Sequence, residues 1–200
     1  MSARPCTAAE AVQRARDLLA SPLNASAAYV LGGGDYRDGW TNPWTTHGSL
    51  HGGDCRVAFL WCYKVPAHRP GYNHGSWATV VDCINYNSLI EDADHAQDLV
   101  VPALGAPQEG DILAYPTIHL HDKDGKPLTF IGHGAIVVGV SRAVGWDPGK
   151  PQFHLLNIMQ VKGGQGRRPA AVATDGSVFD HHSELWPKPQ HCARLLRVKP

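Results

Sequence analysis

No part of this chain approaches the ~20 consecutive apolar residues that a helix needs to span a bilayer, although 43% of its 200 residues are hydrophobic. A transmembrane helix is therefore not expected, and enough apolar surface remains for one domain with its own core. An excess of charge is also missing. Eighteen Lys and Arg balance 18 Asp and Glu, and the pI is about 7.2. Such a chain has no electrostatic grip on nucleic acid or an anionic membrane, and neither is expected as a partner. Cysteine is sparse and odd in number: Cys6, Cys55, Cys62, Cys83 and Cys192. These positions lack the paired spacing of a zinc ribbon or a disulfide framework. Cys55 and Cys62 could share a helix face, but seven residues of helix span ~10 Å, too far for a disulfide. Reduced thiols, no metal and no cofactor are expected. The segment Met1-Ser2-Ala3-Arg4-Pro5-Cys6 lacks the apolar core of a signal peptide. Synthesis in the cytoplasm is expected, with another route of delivery if the target lies outside.

Glycine (21) and proline (15) are plentiful and point to a loop-rich fold. Thr7-Ala8-Ala9-Glu10 reads as a capping box, after which Ala8, Val12, Ala15 and Leu19 recur at helical spacing until Ser21-Pro22. Ser76 is placed to cap a second core helix over residues 77–84. Residues 85–108 are polar and acidic and carry no clear pattern. From Gly110 onward the period changes to that of buried strands: Ile112-Leu113-Ala114-Tyr115, residues 130–140, 153–160 and 193–198. Asp122-Lys123-Asp124-Gly125-Lys126 reads as a hairpin turn. Helices followed by antiparallel strands predict an α+β fold. With no repeat, linker or low-complexity segment, residues 1–200 are expected to form a single domain.

The most informative run is His51-Gly52-Gly53-Asp54-Cys55, which leads into the apolar Val57-Ala58-Phe59-Leu60-Trp61-Cys62-Tyr63. Aspartate is a good N-cap, so Cys55 is predicted in the first turn of a helix, where free N–H groups and the helix dipole lower a thiol pKa. A nucleophile and a small buried core residue are the two readings of such a cysteine. A cysteine nucleophile needs a base, and His133 stands out among 12 histidines because glycines and apolar residues surround it. That histidine is either a satisfied core residue or a functional one. Asn157, polar in an otherwise apolar strand, is the natural residue to orient it. A one-residue slip of register brings in His154 or Gln160 instead.

In this order the motifs resemble the NlpC-like cysteine peptidases of bacterial cell-wall turnover. Tyr29-Val30-Leu31-Gly32-Gly33, Asp54-Cys55, Gly110-Asp111-Ile112-Leu113, His133-Gly134-Ala135-Ile136 and Arg194-Leu195-Leu196-Arg197 match the hallmarks of that family over roughly residues 8–198. The resemblance implies a papain-like fold, with N-terminal helices and the nucleophile helix packed on an antiparallel sheet. It implies Cys55 as nucleophile, His133 as base and Asn157 as third member. It also implies hydrolysis of amide bonds in peptidoglycan stem peptides, typically between D-glutamate and the diamino acid. Tyr29 matches the tyrosine beside the nucleophile, and Asp54 the residue before it. Three features depart from the family: Arg56-Val57 replaces the usual Ser-Gly pair, the third member reads as asparagine, and residues 40–51 and 163–182 are longer than a minimal domain needs. Arg56 brings a guanidinium to the cleft, and Trp40 and Trp44 are candidates for a substrate-stacking wall. An amidase cutting between sugar and stem peptide, and an acyltransferase or transglutaminase-like enzyme, use the same triad. A phage lysin, a virion peptidase or an injected antibacterial effector would each act this way, and the effector would have a cognate inhibitor protein as partner.

Other polar clusters have plainer readings. His119 and His121 near Asp122 and Asp124, and His181-His182 after Asp180, read as solvent-facing residues more readily than as metal ligands. Residues 162–168 lack the Gly-Lys-Ser/Thr ending of a phosphate loop and read as a basic loop. Only Cys55 follows an N-cap, so Cys55→Ala is expected to abolish hydrolysis while leaving the circular dichroism spectrum unchanged. Loss of activity in Cys62→Ala or Cys83→Ala, with Cys55→Ala still active, would reassign the nucleophile.

Overall fold

Thr7 and Glu10 open the first helix reciprocally: Glu10 N–H donates to Thr7 Oγ1 (3.3 Å) and Thr7 N–H to the Glu10 carboxylate (2.8 Å). Helix α1 (Ala8–Ala20) buries Ala11, Val12, Ala15 and Leu18. Ser21 then turns extended, as a residue before proline does. The computed structural model describes residues 6–21, 28–34, 43–47, 50–74, 82–104, 106–121, 123–130, 132–142, 153–161, 165–173, 178–180 and 194–200.

Strands β1 (Ala28–Tyr29), β2 (Thr45–His47) and β3 (Leu50–Gly53) form a small sheet in the order β1-β3-β2, with β1 parallel to β3. Part of the tryptophan- and histidine-rich segment is therefore a hairpin. Its closeness to β1 requires glycine, because a Cβ at Gly52 would lie 1.8 Å from the Ala28 carbonyl oxygen. The Cys55 segment is less regular than its sequence predicts. Cys55–Ala58 is a single 3₁₀ turn capped by Asp54, and Phe59 separates it from the short helix α2 (Leu60–Tyr63).

The polar region without a sequence pattern contains α3 (Tyr86–Glu91), capped by Asn85 and Ser88, then a π-turn (Asp92–Ala96) and β4 (Val100–Pro102). The expected helix over residues 77–84 falls mostly outside the described residues. Its described end is not helical: Asp82 has φ 62° and Cys83 forms an antiparallel bridge with His68.

Strands β5 (Ile112–Tyr115), β6 (Ile118–His121), β7 (Pro127–Phe130), β8 (His133–Arg142), β9 (Phe153–Val161), β10 (Gln165–Ala173), β11 (Val178–Asp180) and β12 (Arg194–Val198) follow. The predicted hairpin joins β6 to β7, which form a ribbon of their own, so the apolar run at residues 130–140 belongs to two sheets. Residues 165–168, expected in a basic loop, lie in β10 and pair with Ile158 to Val161 of β9. The main sheet runs β11-β10-β9-β8-β5-β12-β4 with antiparallel neighbours throughout, so the α+β class is correct. Alternation along β5, β8 and β12 separates two clusters. Ile112, Ala114, Ile136, Val138 and Leu196 pack with the helices and the Cys55 turn, while Leu113, Tyr115, Ala135, Val137 and Leu195 form the opposite face. Asp111, almost fully buried, closes the start of β5 by accepting two 2.8 Å bonds from the Arg197 guanidinium. No helix among the described residues is long and apolar enough to cross a membrane.

Asp92 holds the π-turn to β4. Its carboxylate is fully buried and accepts N–H bonds from Asp98 (2.6 Å), Leu99 (2.8 Å) and Val100 (3.0 Å) and the Tyr72 hydroxyl (3.1 Å). Asp92→Ala would leave those donors buried and unpaired, at a cost of about 3–5 kcal/mol. Urea denaturation is expected to show that loss, and a change below about 1 kcal/mol would mean that the donors find other acceptors.

Candidate active site

Among the described residues the β8–β9 ladder begins at Ile136, and the first residues of β8 pair with β5 through Tyr115 and His133. The Cys55 thiol lies against Gly132 and Gly134. It donates to the Gly132 carbonyl (4.0 Å), accepts from the Tyr29 hydroxyl (3.8 Å), and the Gly134 N–H is directed at the sulfur. Tyr29 reaches it from β1, so two parts of the resemblance, the tyrosine and the cysteine, meet in space.

Asp54 organises this corner. The side chain is buried and accepts from the backbone N–H of Arg56 (2.9 Å) and of Gly32 (3.1 Å) and from the Arg56 guanidinium (3.0 Å). It thereby ties the glycine segment after β1 to the Cys55 turn and neutralises Arg56 locally. Its geometry is that of a scaffold carboxylate rather than of a group presented to a ligand. Cys55, Tyr29 and Arg56 all line an open cleft of about 490 Å³, with Leu31 as an exposed apolar lip and Asn85, Asn87 and Thr117 also on its wall.

The thiol is not activated at rest. Burial, reinforced by the Asp54 charge, pushes the Cys55 pKa up to about 12, and the donors from Tyr29 and Gly134 only partly oppose this. The expected lowering fails because the helix is a single 3₁₀ turn, its N–H at Arg56 is spent on Asp54, and the sulfur is enclosed. Burial also raises the Tyr29 hydroxyl well above its usual value, so it is a neutral donor.

Both chain neighbours of His133 touch the sulfur. The ring lies 6.2 Å from that of Tyr115, its cross-strand partner, on the sheet face opposite the Cys55 cluster. Asn157 is not brought alongside either. The register sets it opposite Gly139, six positions from His133, which is roughly 20 Å of strand. Of the three residues considered for that place, Gln160 follows Met159, the partner of Ile136, and its backbone is nearest to His133, whereas His154 pairs with Arg142. Trp44 is buried in the core under Gly53, whose Cβ would touch its ring, and so does not form a stacking wall. Trp40 lies outside the described residues.

Tyr86, Asn87 and Thr117 were not legible as site residues. The only hint was the N-cap pattern of Asn85 and Ser88, which would have opened a helix at Tyr86. The four described cysteines, Cys6, Cys55, Cys62 and Cys83, are all free thiols. Among the described residues no group of three or more His, Cys, Asp or Glu side chains is arranged to hold a metal ion. No protein-family model, curated protein or solved structure matches this chain.

A thiol pKa near 12 against about 9 for an unhindered cysteine means about a thousandfold less thiolate at pH 7. Its contribution to folding is present below pH 9 and is lost as the pH rises towards 12. Iodoacetamide modification of Cys55, followed by peptide mass spectrometry, is expected to be slow at pH 7 and to rise about tenfold per pH unit to pH 10. A plateau near neutral pH would instead reveal a resting thiolate–imidazolium pair.

Proposed function

We propose that this chain is a cysteine hydrolase with a papain-like arrangement, which cuts amide bonds in peptidoglycan stem peptides, between D-glutamate and the diamino acid. The observation that carries the chemistry is the Cys55 sulfur at the wall of an open cleft, bonded to Tyr29 and to the backbone on both sides of His133. The substrate class comes from the resemblance of the ordered motifs. In the reaction the thiol gives its proton to His133 and the sulfur adds to the scissile carbonyl. The oxyanion is met by the Cys55 N–H and the Tyr29 hydroxyl. Collapse expels the amine, which takes the proton from His133, and water then frees the acyl group by the same route.

His133 serves as base in this reading only after the start of β8 shifts to carry its ring from the Tyr115 side to the sulfur. Catalytic hydrogen bonds that tighten only with substrate are common. Gln160, not Asn157, takes the orienting role in this reading. Action at the cell wall, by lysis, from a virion or by injection, and an inhibitor protein as partner are parts of the same proposal.

A second reading is favoured by the neutral thiol and by the imidazole on the far sheet face: a module that binds stem peptides in the cleft without cutting them. Purified protein incubated with peptidoglycan, with soluble fragments identified by mass spectrometry, separates the two. Hydrolysis is expected to release fragments ending at D-glutamate, to vanish in Cys55→Ala and His133→Ala, and to fall further in Gln160→Ala than in Asn157→Ala. Cuts between sugar and L-alanine would identify an amidase, and pelleting with the cell wall without any release would leave the binding module.

A further inference from the structure

Tyr86 opens helix α3 and reaches the two segments that have to meet. Its hydroxyl donates to the Cys55 carbonyl (2.9 Å), and its ring occupies the space beside Gly134, where an added Cβ would lie 1.9 Å from the ring carbon bearing the hydroxyl. The next residue extends the same hold. Asn87 Oδ1 accepts from the Thr117 N–H (2.8 Å), and Thr117 Oγ1 accepts from the Gly132 N–H (2.8 Å). The first turn of α3 thus grips the cysteine turn and both residues flanking His133. Thr117 follows β5, so this hold reaches the start of β8 from the β5 side, while the Tyr86 ring covers the Gly134 face.

We propose that Tyr86 is a positioning residue which sets the separation of the Cys55 sulfur from the start of β8, with Gly134 kept side-chain-free to receive its ring. In relation to catalysis this rests on the cysteine hydrolase reading above. As a statement about the environment of Cys55 it does not. A buried tyrosine hydroxyl bonded to a carbonyl could also contribute only stability, and Tyr63 provides the control: it is equally buried and donates to the Gly110 carbonyl, away from the cleft.

The experiment compares Tyr86→Phe and Tyr63→Phe with the unaltered protein in three measurements. Both variants are expected to lower Tm by about 2–4 °C, the usual consequence of one lost buried hydrogen bond in a chain of this size. Only Tyr86→Phe is expected to change iodoacetamide modification of Cys55, by about fivefold to tenfold at pH 8, because the turn that holds the sulfur loosens. Only Tyr86→Phe is expected to lower kcat on soluble muropeptides, by about tenfold with KM held within about twofold, since a small misplacement of the nucleophile costs rate rather than binding. Equal modification rates in Tyr86→Phe and the unaltered protein, or an equal change in Tyr63→Phe, would overturn the proposal. If the unaltered protein cuts no muropeptide but the modification rate still shifts in Tyr86→Phe alone, Tyr86 positions the thiol and the hydrolase reading is the one that fails.

Discussion

A buried carboxylate has to be satisfied, and at Asp54 that requirement decides the geometry of the whole corner around Cys55. Taking an ionised group out of water is costly unless hydrogen bonds replace its hydration. Asp54 finds its donors in the backbone of Gly32, the backbone of Arg56 and the Arg56 guanidinium. Those donors come from two chain segments, so satisfying one carboxylate closes the β1 loop over the Cys55 turn. The same charge then works against thiolate formation at the neighbouring sulfur. The carboxylate that closes this corner therefore also favours the neutral thiol.

The main sheet supplies the second constraint. Among the described residues its ladder between β8 and β9 starts at Ile136, and the Cys55 turn touches the residues just before it. Backbone groups of Gly132 and Gly134 are bonded to the sulfur, and the Gly132 N–H to the Thr117 hydroxyl. Glycine at 132 and 134 suits this contact because a side chain at either would collide with Tyr115 and Thr117 or with the Tyr86 ring.

Much of the scaffold was legible in local pattern. The Thr7–Glu10 capping box, the strand at Ile112 to Tyr115 and the terminal strand from Arg194 carry signals that depend on near neighbours, and tertiary packing agreed with them. The Cys55 segment was only half legible. Asp54 does cap the turn, but the regular dipole that would lower a thiol pKa is cut short at Phe59, and enclosure by the sheet reverses the shift. Asn157 was chosen for being polar among apolar neighbours, which says nothing about its distance along the strand from His133. Trp44 carried an aromatic signal that serves core and binding wall alike.

The sequence by itself determined the α+β class, the opening helix, the Asp54 cap before Cys55 and the strand at Ile112 to Tyr115, because capping and buried apolar runs are set within a few residues. Only the tertiary structure decided which segments meet. Tertiary packing brought the Cys55 turn to Gly132 and Gly134, register moved Asn157 away from His133, and α3 supplied Tyr86 and Asn87 from a stretch without periodic signal to meet Thr117 after β5. Those outcomes depend on burial and pairing between residues far apart in the chain, and such contacts leave no local pattern to read.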